Sequence, residues 1–348
     1  MYKYHLEDVE WSNFFIKDIF EIENCKCSKV SSLKNGMVPY VGATNRNNGV
    51  LSFVDGAELM TQGNCIAFIC DGEGSIGYSV YKKENFIGST TVKVGRNVNL
   101  NKYNAKFITT VSDTVRSKYN FGVKRNEEHL KKEILQLPVD RKGSPNWSFM
   151  EEYIKEREKK QMNDVREYYK SKLIDLDNYN DSLKDVEWGE FYVSDIFNTV
   201  QRGKRLTKAN QIDGKIPYIS STGLNNGLDN FIGNTEHIRS SSKDLTIANS
   251  GSVGSCFYHA YKYVASDHVT MLKLSNGNDN VYKFLSTILG GFKEKYSFNR
   301  EINDARIKRE KILLPIDTNG NPNWDYMENY IKIIEKKKIE QILEYLDR

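Results

Sequence analysis

Three groups of residues in this chain have types and spacings that could do chemistry. Asn321-Pro322-Asn323-Trp324 is close to the Asn/Asp-Pro-Pro-aromatic motif of a DNA amino-methyltransferase. His259, Asp267 and His268 lie near one another in sequence and offer two imidazoles and a carboxylate for a metal or acid–base site. Cys25, Cys27, Cys65, Cys70 and Cys256 offer thiols. Methyl transfer would need the second proline and a glycine-rich cofactor loop leading from a strand into a helix. The most glycine-rich loop, Asp71-Gly72-Glu73-Gly74-Ser75-Ile76-Gly77, runs instead into the strand-like Tyr78-Ser79-Val80-Tyr81. The cysteines are odd in number and contain no CxxC pair, and Cys25-x-Cys27 is too tight for a zinc half-site, so they read as reduced thiols. No nuclease carboxylate cluster is recognisable either, since the Glu-rich word around Glu156-Arg157-Glu158 falls on a helix surface.

The elements that must position these residues come in two copies. Asn321–Trp324 has a twin in Ser144-Pro145-Asn146-Trp147, and the twinning extends over the whole chain at a period of about 177 residues. Val9-Glu10-Trp11 matches Val186-Glu187-Trp188, Val38-Pro39-Tyr40-Val41 matches Ile216-Pro217-Tyr218-Ile219, and Asn47-Asn48-Gly49 matches Asn225-Asn226-Gly227. Gly74–Gly77 matches Gly251–Gly254. Residues 21–37 and 198–215 share almost nothing, so one scaffold carries two different faces. Each copy opens with short β-branched and aromatic runs punctuated by Gly, Asn and Asp, which predicts strands. Helical stretches are expected near Asn101–Ser117 and Asn280–Tyr296. Each copy ends in a long stretch with one apolar stripe at helical spacing. Both Asn-Trp words sit after Gly-x-Pro turns and ahead of that stretch, so they are predicted helix starts. The duplication also weakens the histidine site, because Thr90 and Thr91 stand where the second copy has Asp267 and His268.

Two divergent domains, each closed by L-P-x-D-x-x-G-x-P-x-W-x-F/Y-M-E-x-Y-I and a long amphipathic helix, resemble the specificity subunit of type I restriction-modification systems and the related type IIB specificity subunits. The resemblance runs from about Val9 to the C-terminus and is carried by LPVDRKGSPNWSFMEEYI, LLPIDTNGNPNWDYMENYI and ANSGSVGSCFYHAYKYVASDHVTML. It implies an α+β fold of two tandem target recognition domains, each strand-rich and followed by a long helix, the two helices packing as an antiparallel coiled coil. The corresponding boundaries are 1–147 and 181–324 for the recognition domains, 148–180 for the first spacer helix and linker, and 325–348 for the second spacer helix. The resemblance further implies a non-catalytic subunit without a cofactor. Each domain would read one half of a bipartite, asymmetric target in double-stranded DNA. Methyltransferase subunits carrying S-adenosylmethionine would dock on the helices, and a restriction endonuclease subunit is a further partner. The replacement of Ser266-Asp267-His268-Val269 by Ser89-Thr90-Thr91-Val92 leaves the role of Asp267 and His268 open.

Base edges are read by forked side chains on loops that enter a groove. Thr44, Asn45, Arg46 and Asn47 form one such group, with Thr222 and Asn225 in the matching loop. Arg46 faces Leu224 across the repeat and varies as a specificity residue should. Arg202, Lys204 and Arg205 lie in a segment with four positive charges in seven residues, suited to phosphates. In the Tyr119–Asn126 cluster and its counterpart at Tyr296–Arg300, Lys124, Arg125 and Arg300 are the expected DNA contacts. His237, Arg239, Ser241 and Lys243 belong to a loop peculiar to the second copy. On the helices, Met150, Ile154, Gln161, Met162, Val165 and Tyr169 are expected to meet Met327, Ile331, Ile334, Lys338, Ile342 and Leu346. The first helix, from about Phe149 to Leu173, would be roughly 37 Å long, near the 34–36 Å turn of B-DNA. An antiparallel pair would bring Gln161 and Lys338 together at the pseudo-twofold axis. The net charge of +4 permits nucleic-acid binding without demanding it. With no apolar span and no signal-like N-terminus, a cytoplasmic protein away from membranes is expected. The rival reading is a protein-binding repeat scaffold without DNA specificity, which selective retention of duplex DNA would separate.

Overall fold

Cys65-Ile66-Ala67-Phe68-Ile69 is apolar at every position, which a strand tolerates only when both of its faces are covered. That strand lies at the heart of the first copy. The computed structural model describes residues 2–27, 29–72, 74–119, 124–176, 186–297 and 299–348. They divide into two compact units, Met1–Val165 and Arg166–Arg348.

In the first unit the strands are β1 (Trp11–Phe15), β2 (Glu21–Asn24), β3 (Lys34–Val41), β4 (Val50–Asp55), β5 (Met60–Thr61), β6 (Cys65–Ile69), β7 (Ser79–Lys82), β8 (Phe86–Gly88), β9 (Val92–Arg96) and β10 (Ile134–Pro138). Its helices are α1 (Ile16–Ile19), α2 (Lys102–Ser112), α3 (Glu127–Lys131) and the start of α4 (Trp147–Leu176). One sheet has the order β2-β9-β6-β7, a second β4-β3-β8-β5, and β1 pairs with β10. The side-chain period of two sends Ile66 and Phe68 into the core shared with α2 and Met150, while Cys65, Ala67 and Ile69 enter a second core with Val41 and Phe86.

The second unit repeats the plan. Its strands are β11 (Trp188–Tyr192), β12 (Thr199–Arg202), β13 (Asp213–Ile219), β14 (Leu228–Ile232), β15 (Ser240–Ser241), β16 (Asp244–Ala248), β17 (Cys256–His259), β18 (Tyr263–Ala265), β19 (Val269–Lys273) and β20 (Lys311–Pro315). Its helices are α5 (Val193–Ile196), α6 (Asp279–Gly290), α7 (Asp304–Lys308) and α8 (Trp324–Asp347). The sheet orders β12-β19-β16-β17 and β14-β13-β18-β15, and the pair β11-β20, match the first unit strand for strand.

The repeated sequence signature is explained by folding alone. Asp140 accepts from the N–H groups of Lys142 and Ser144 at 2.8 and 3.0 Å, and Asp317 does the same for Asn319 and Asn321 at 2.8 and 2.9 Å. Asn146 caps α4 by accepting from Phe149 N–H at 3.0 Å, and Asn323 caps α8 by accepting from Tyr326 N–H at 3.0 Å. Met150 and Met327 are both fully buried. Glu151 and Glu328 accept from the side-chain amides of Asn101 and Asn278, residues that also cap α2 and α6. The Asn-Pro-x-Trp word is therefore a helix start.

One expectation for the helices needs correction. Met150, Ile154, Met327 and Ile331 pack into the cores of their own domains, because the first turns of α4 and α8 close those cores. Within the second unit the end of α4 runs antiparallel to α8, with Arg166 Nε 3.0 Å from Asp347 Oδ1 and Lys172 Nζ 3.1 Å from Glu335 Oε1. Lys338 lies between these ties in sequence, on the part of α8 that faces the Arg166–Lys172 stretch. It is exposed and bonds Gln341 of its own helix at 3.1 Å, and Gln161 is exposed as well.

Candidate nucleic-acid interface

Asn-Asn-Gly builds the same turn twice. Asn47 and Asn48 have φ of 49° and 54°, as do Asn225 and Asn226, and the glycines that follow have φ of 77° and 78°. Consecutive left-handed residues are costly for most side chains and tolerated by Asn and Gly, which assigns the asparagines to the turn itself. Thr44 Oγ1 accepts from Arg46 N–H at 3.1 Å, and Thr222 Oγ1 accepts from Leu224 N–H at 3.2 Å. Thr44 and Thr222 thus brace the turn, and the residue held at each apex differs. Arg46 is exposed in one copy, and Leu224 is 70% exposed in the other.

Two further loops meet this turn. Asn45 donates its side-chain amide to Gly74 O at 3.1 Å in the first unit, and Ser252 N–H reaches Ser221 O at 3.0 Å in the second. Cys70 N–H bonds Thr91 O at 2.9 Å, and Asn249 N–H bonds His268 O at 2.8 Å. Cys70 and Asn249 are therefore equivalent. The glycine loop of the first copy is two residues longer, because Phe68 pairs with Ser79 whereas Ile247 pairs with Cys256. At one end of each domain the β3–β4 turn, the glycine loop and the β8–β9 corner, or their counterparts, form one loop surface.

Lys124 joins that surface in the first unit through a 3.0 Å ion pair with Asp71, whose pKa is held down by the Gly72 N–H and by Lys124. Arg125 does not. It is fully buried, its Nε and Nη2 lie 2.6 and 2.5 Å from the two oxygens of Glu133, and its guanidinium stacks 5.1 Å from the Phe68 ring centroid. The expectation of a DNA contact at Arg125 is corrected, since an arginine locked bidentately inside the core has no access to a groove. Residues 120–123 of this cluster and Phe298 of its counterpart lie outside the described residues.

In the second unit Arg202 Nε donates to Asp267 O and so braces the Ala265–Val269 corner, while Arg239 Nη1 donates to Arg202 O and its own carbonyl accepts from Ala265 N–H at 2.8 Å. Lys204 and Arg205 project from the same segment and are exposed. Ser241 donates to the buried Asp244, and of the four predicted residues His237 and Lys243 are exposed, alongside Thr235, Glu236 and Ser240. Arg300 is exposed and stacks 5.4 Å from the Tyr296 ring centroid.

The histidines serve separate structural ends. His259 is fully buried and bonds Thr246 Oγ1 at 2.8 Å, and burial lowers its pKa to about 4. His268 lies on the corner loop and shares a 2.7 Å hydrogen bond with Ser250. Among the described residues no cluster of His, Cys, Asp or Glu could hold a metal ion, and the five cysteines are buried and free. Burial pushes the Cys25 and Cys70 thiols up to about 11. Sequence reasoning missed a concavity of about 590 Å³ bounded by Thr222, Leu224, Gly251, Lys293 and Tyr296. No sequence signal marks it, because its lining comes from segments that lie far apart in the chain.

Two copies of one domain that preserve a loop scaffold and change the side chains displayed on it define a duplicated recognition module. The chain belongs to the type I restriction modification DNA specificity domain family, which it matches twice, over residues 8–167 and 185–344. It is 30% identical over 342 residues to the specificity subunit S.BcgI of a type II restriction enzyme from Heyndrickxia coagulans, covering 97% of this chain and 98% of that one. Its fold is similar to that of a type I restriction-modification S subunit from M. genitalium, at a TM-score of 0.54 and 14% identity, covering 98% of this chain and 93% of that one. The chain is thus a specificity subunit of a restriction-modification system, the non-catalytic and cofactor-free part. No helix among the described residues is long and apolar enough to cross a membrane.

Proposed function

We propose that each unit reads one half of a bipartite, asymmetric sequence in double-stranded DNA, and that α4 and α8 set the distance between the halves and dock methyltransferase subunits. The observation that carries this reading is the turn pair. Matched backbone angles and matched threonine braces present Arg46 in one copy and Leu224 in the other. Arginine is suited to the O6 and N7 acceptors of guanine, and an apolar side chain to the thymine methyl. Lys124, Lys204, Arg205 and Arg300 supply phosphate contacts, and His237 and Lys243 reach bases of the second half-site. S-adenosylmethionine belongs to the methyltransferase partner, a restriction endonuclease subunit completes the assembly, and the complex works in the cytoplasm.

The ruler role follows from length. A 30-residue helix spans about 45 Å and a 24-residue helix about 36 Å, on the scale of one B-DNA turn. The decisive experiment is to map the methylated motif in a genome carrying this gene and its neighbouring methyltransferase. Two base blocks separated by an unspecified gap are expected, and inserting four residues after Gln161 should lengthen the gap without changing either block. A single uninterrupted block would refute the reading. A chain that retains no duplex DNA would favour a protein-binding scaffold.

A further inference from the structure

Arg300, Arg306 and Arg309 line one open concavity of about 350 Å³ in the second unit, together with Tyr296, Asn303 and Glu310. All three arginines are exposed. Three cations converging on one hollow would repel one another unless a carboxylate or an outside anion neutralised them. The nearby carboxylate is already engaged, because Glu310 pairs with Lys295 Nζ at 2.5 Å and accepts from the Tyr296 hydroxyl. Among the described residues none of the three guanidiniums lies within ion-pair distance of an acid. Their internal bonds orient them: Arg306 Nη1 donates to Glu301 O at 2.6 Å, Arg309 Nε donates to Ala305 O at 3.2 Å, and Arg300 stacks on Tyr296. Each keeps further N–H groups for a ligand.

Tyr296 also lines the larger concavity beneath Thr222 and Leu224, so the arginine hollow adjoins the loop surface described above. Among the described residues the first copy has no equivalent. Its counterparts of Arg306 and Arg309 are His129, bonded to Lys124 O at 2.8 Å, and Lys132, paired with Glu128 at 2.6 Å.

We infer that Arg300, Arg306 and Arg309 form a phosphate-binding pocket for one phosphodiester of the DNA backbone, present in the second domain only. The pocket rests on the DNA-reading role proposed above and adds its own consequence, an unequal share of backbone affinity between the two halves. It supplies affinity and register and reads no base.

The test uses the full chain and a fluorescein-labelled random-sequence DNA duplex, followed by anisotropy over a range of salt concentrations. Replacing Arg306→Gln and Arg309→Gln together should lower the magnitude of the log K against log salt slope by about 0.9, an affinity loss of about eightfold at ~0.1 M salt. Arg306→Lys with Arg309→Lys should keep the wild-type slope, and this pair decides the matter if the glutamine variant melts early. As a control, Arg141→Gln with Lys142→Gln removes the same charge from the first unit. An unchanged slope in the glutamine variant, a lost slope in the lysine variant, or an equal loss in the control would overturn the pocket. Failure of the wild-type chain to bind any duplex would instead bring down the DNA-reading role itself, and the pocket with it.

Discussion

The buried edge of the central hairpin differs between the two domains in a way that backbone pairing makes directly comparable. Cys65 pairs with Lys82 in the first, and Asp244 pairs with His259 in the second. Lys82 lies over the Phe86 ring and sends its ammonium to Asn48 O at 3.3 Å, so a core cation holds the turn that presents Arg46. In the second domain Tyr263 replaces Phe86, bonding Asp244 at 2.8 Å and lying 4.6 Å from the His259 ring. A second contrast lies under α3 and α7. Tyr119 and Tyr296 both donate to a glutamate, Glu133 or Glu310, yet the first domain adds the buried Arg125 where the second has the buried Ile302. The fold is kept while polar and apolar solutions are exchanged at single core positions. Each domain can thus diverge on its surface and in its core so long as the loop scaffold survives.

The sharpest way to break this comparison is to strip the charged core from the first domain. Arg125→Ala leaves Glu133 buried without its cation and should destabilise the first unit by about 3–5 kcal/mol. Arg125→Met with Glu133→Leu should recover most of that loss. Chemical denaturation of the full chain should show the first unit's transition moving while the second unit's stays. Equal movement of both would show that the units do not unfold independently.

Acid should then select against the second domain. His259 is neutral in the fold, with a pKa lowered to about 4 by burial, while the unfolded chain binds a proton near the ordinary value of 6.5. Its contribution is complete above about pH 6.5 and is lost as pH falls towards 4. Linkage puts the loss at roughly 3 kcal/mol. A melting series from pH 7 to pH 4 should show the second unit weakening, and His259→Gln should flatten that dependence. A flat wild-type profile would contradict the buried neutral imidazole.

At the turn apex, Arg46→Leu should relax base discrimination in one half-site by about 1–3 kcal/mol. The reciprocal Leu224→Arg should alter only the other half, with methylated-motif sequencing as the readout. Loss of discrimination in both halves would separate Arg46 from a one-domain, one-half code. The smallest effect is expected at Lys204→Gln, which should weaken binding to matched and mismatched duplexes alike by about 1 kcal/mol at ~0.1 M salt, with a shallower salt slope. A selective loss on matched DNA would move Lys204 among the base contacts.

Much of this molecule is determined by residues close together in the chain. Helix starts at Asn146 and Asn323 and the strand-rich opening of each copy were legible, because capping and the patterning of β-branched and aromatic runs act over a few residues. The duplication itself is likewise a property of the sequence.

Tertiary structure decided the rest. Arg125 and Lys124 are neighbours with the same charge, yet one is sealed against Glu133, Phe68 and Tyr119 while the other stands exposed beside Asp71. The two-residue difference between the glycine loops emerged only from strand pairing, and the register of α4 on α8 only from the Arg166–Asp347 and Lys172–Glu335 ties. Arg300, Arg306 and Arg309 likewise share a hollow that the Tyr296–Glu310 hydrogen bond spans, a contact between residues 14 apart in the chain. The physical reason is common to all four. Local conformation depends on neighbours along the chain, whereas the cost of burying a charge and the register of two elements depend on which distant groups arrive beside them.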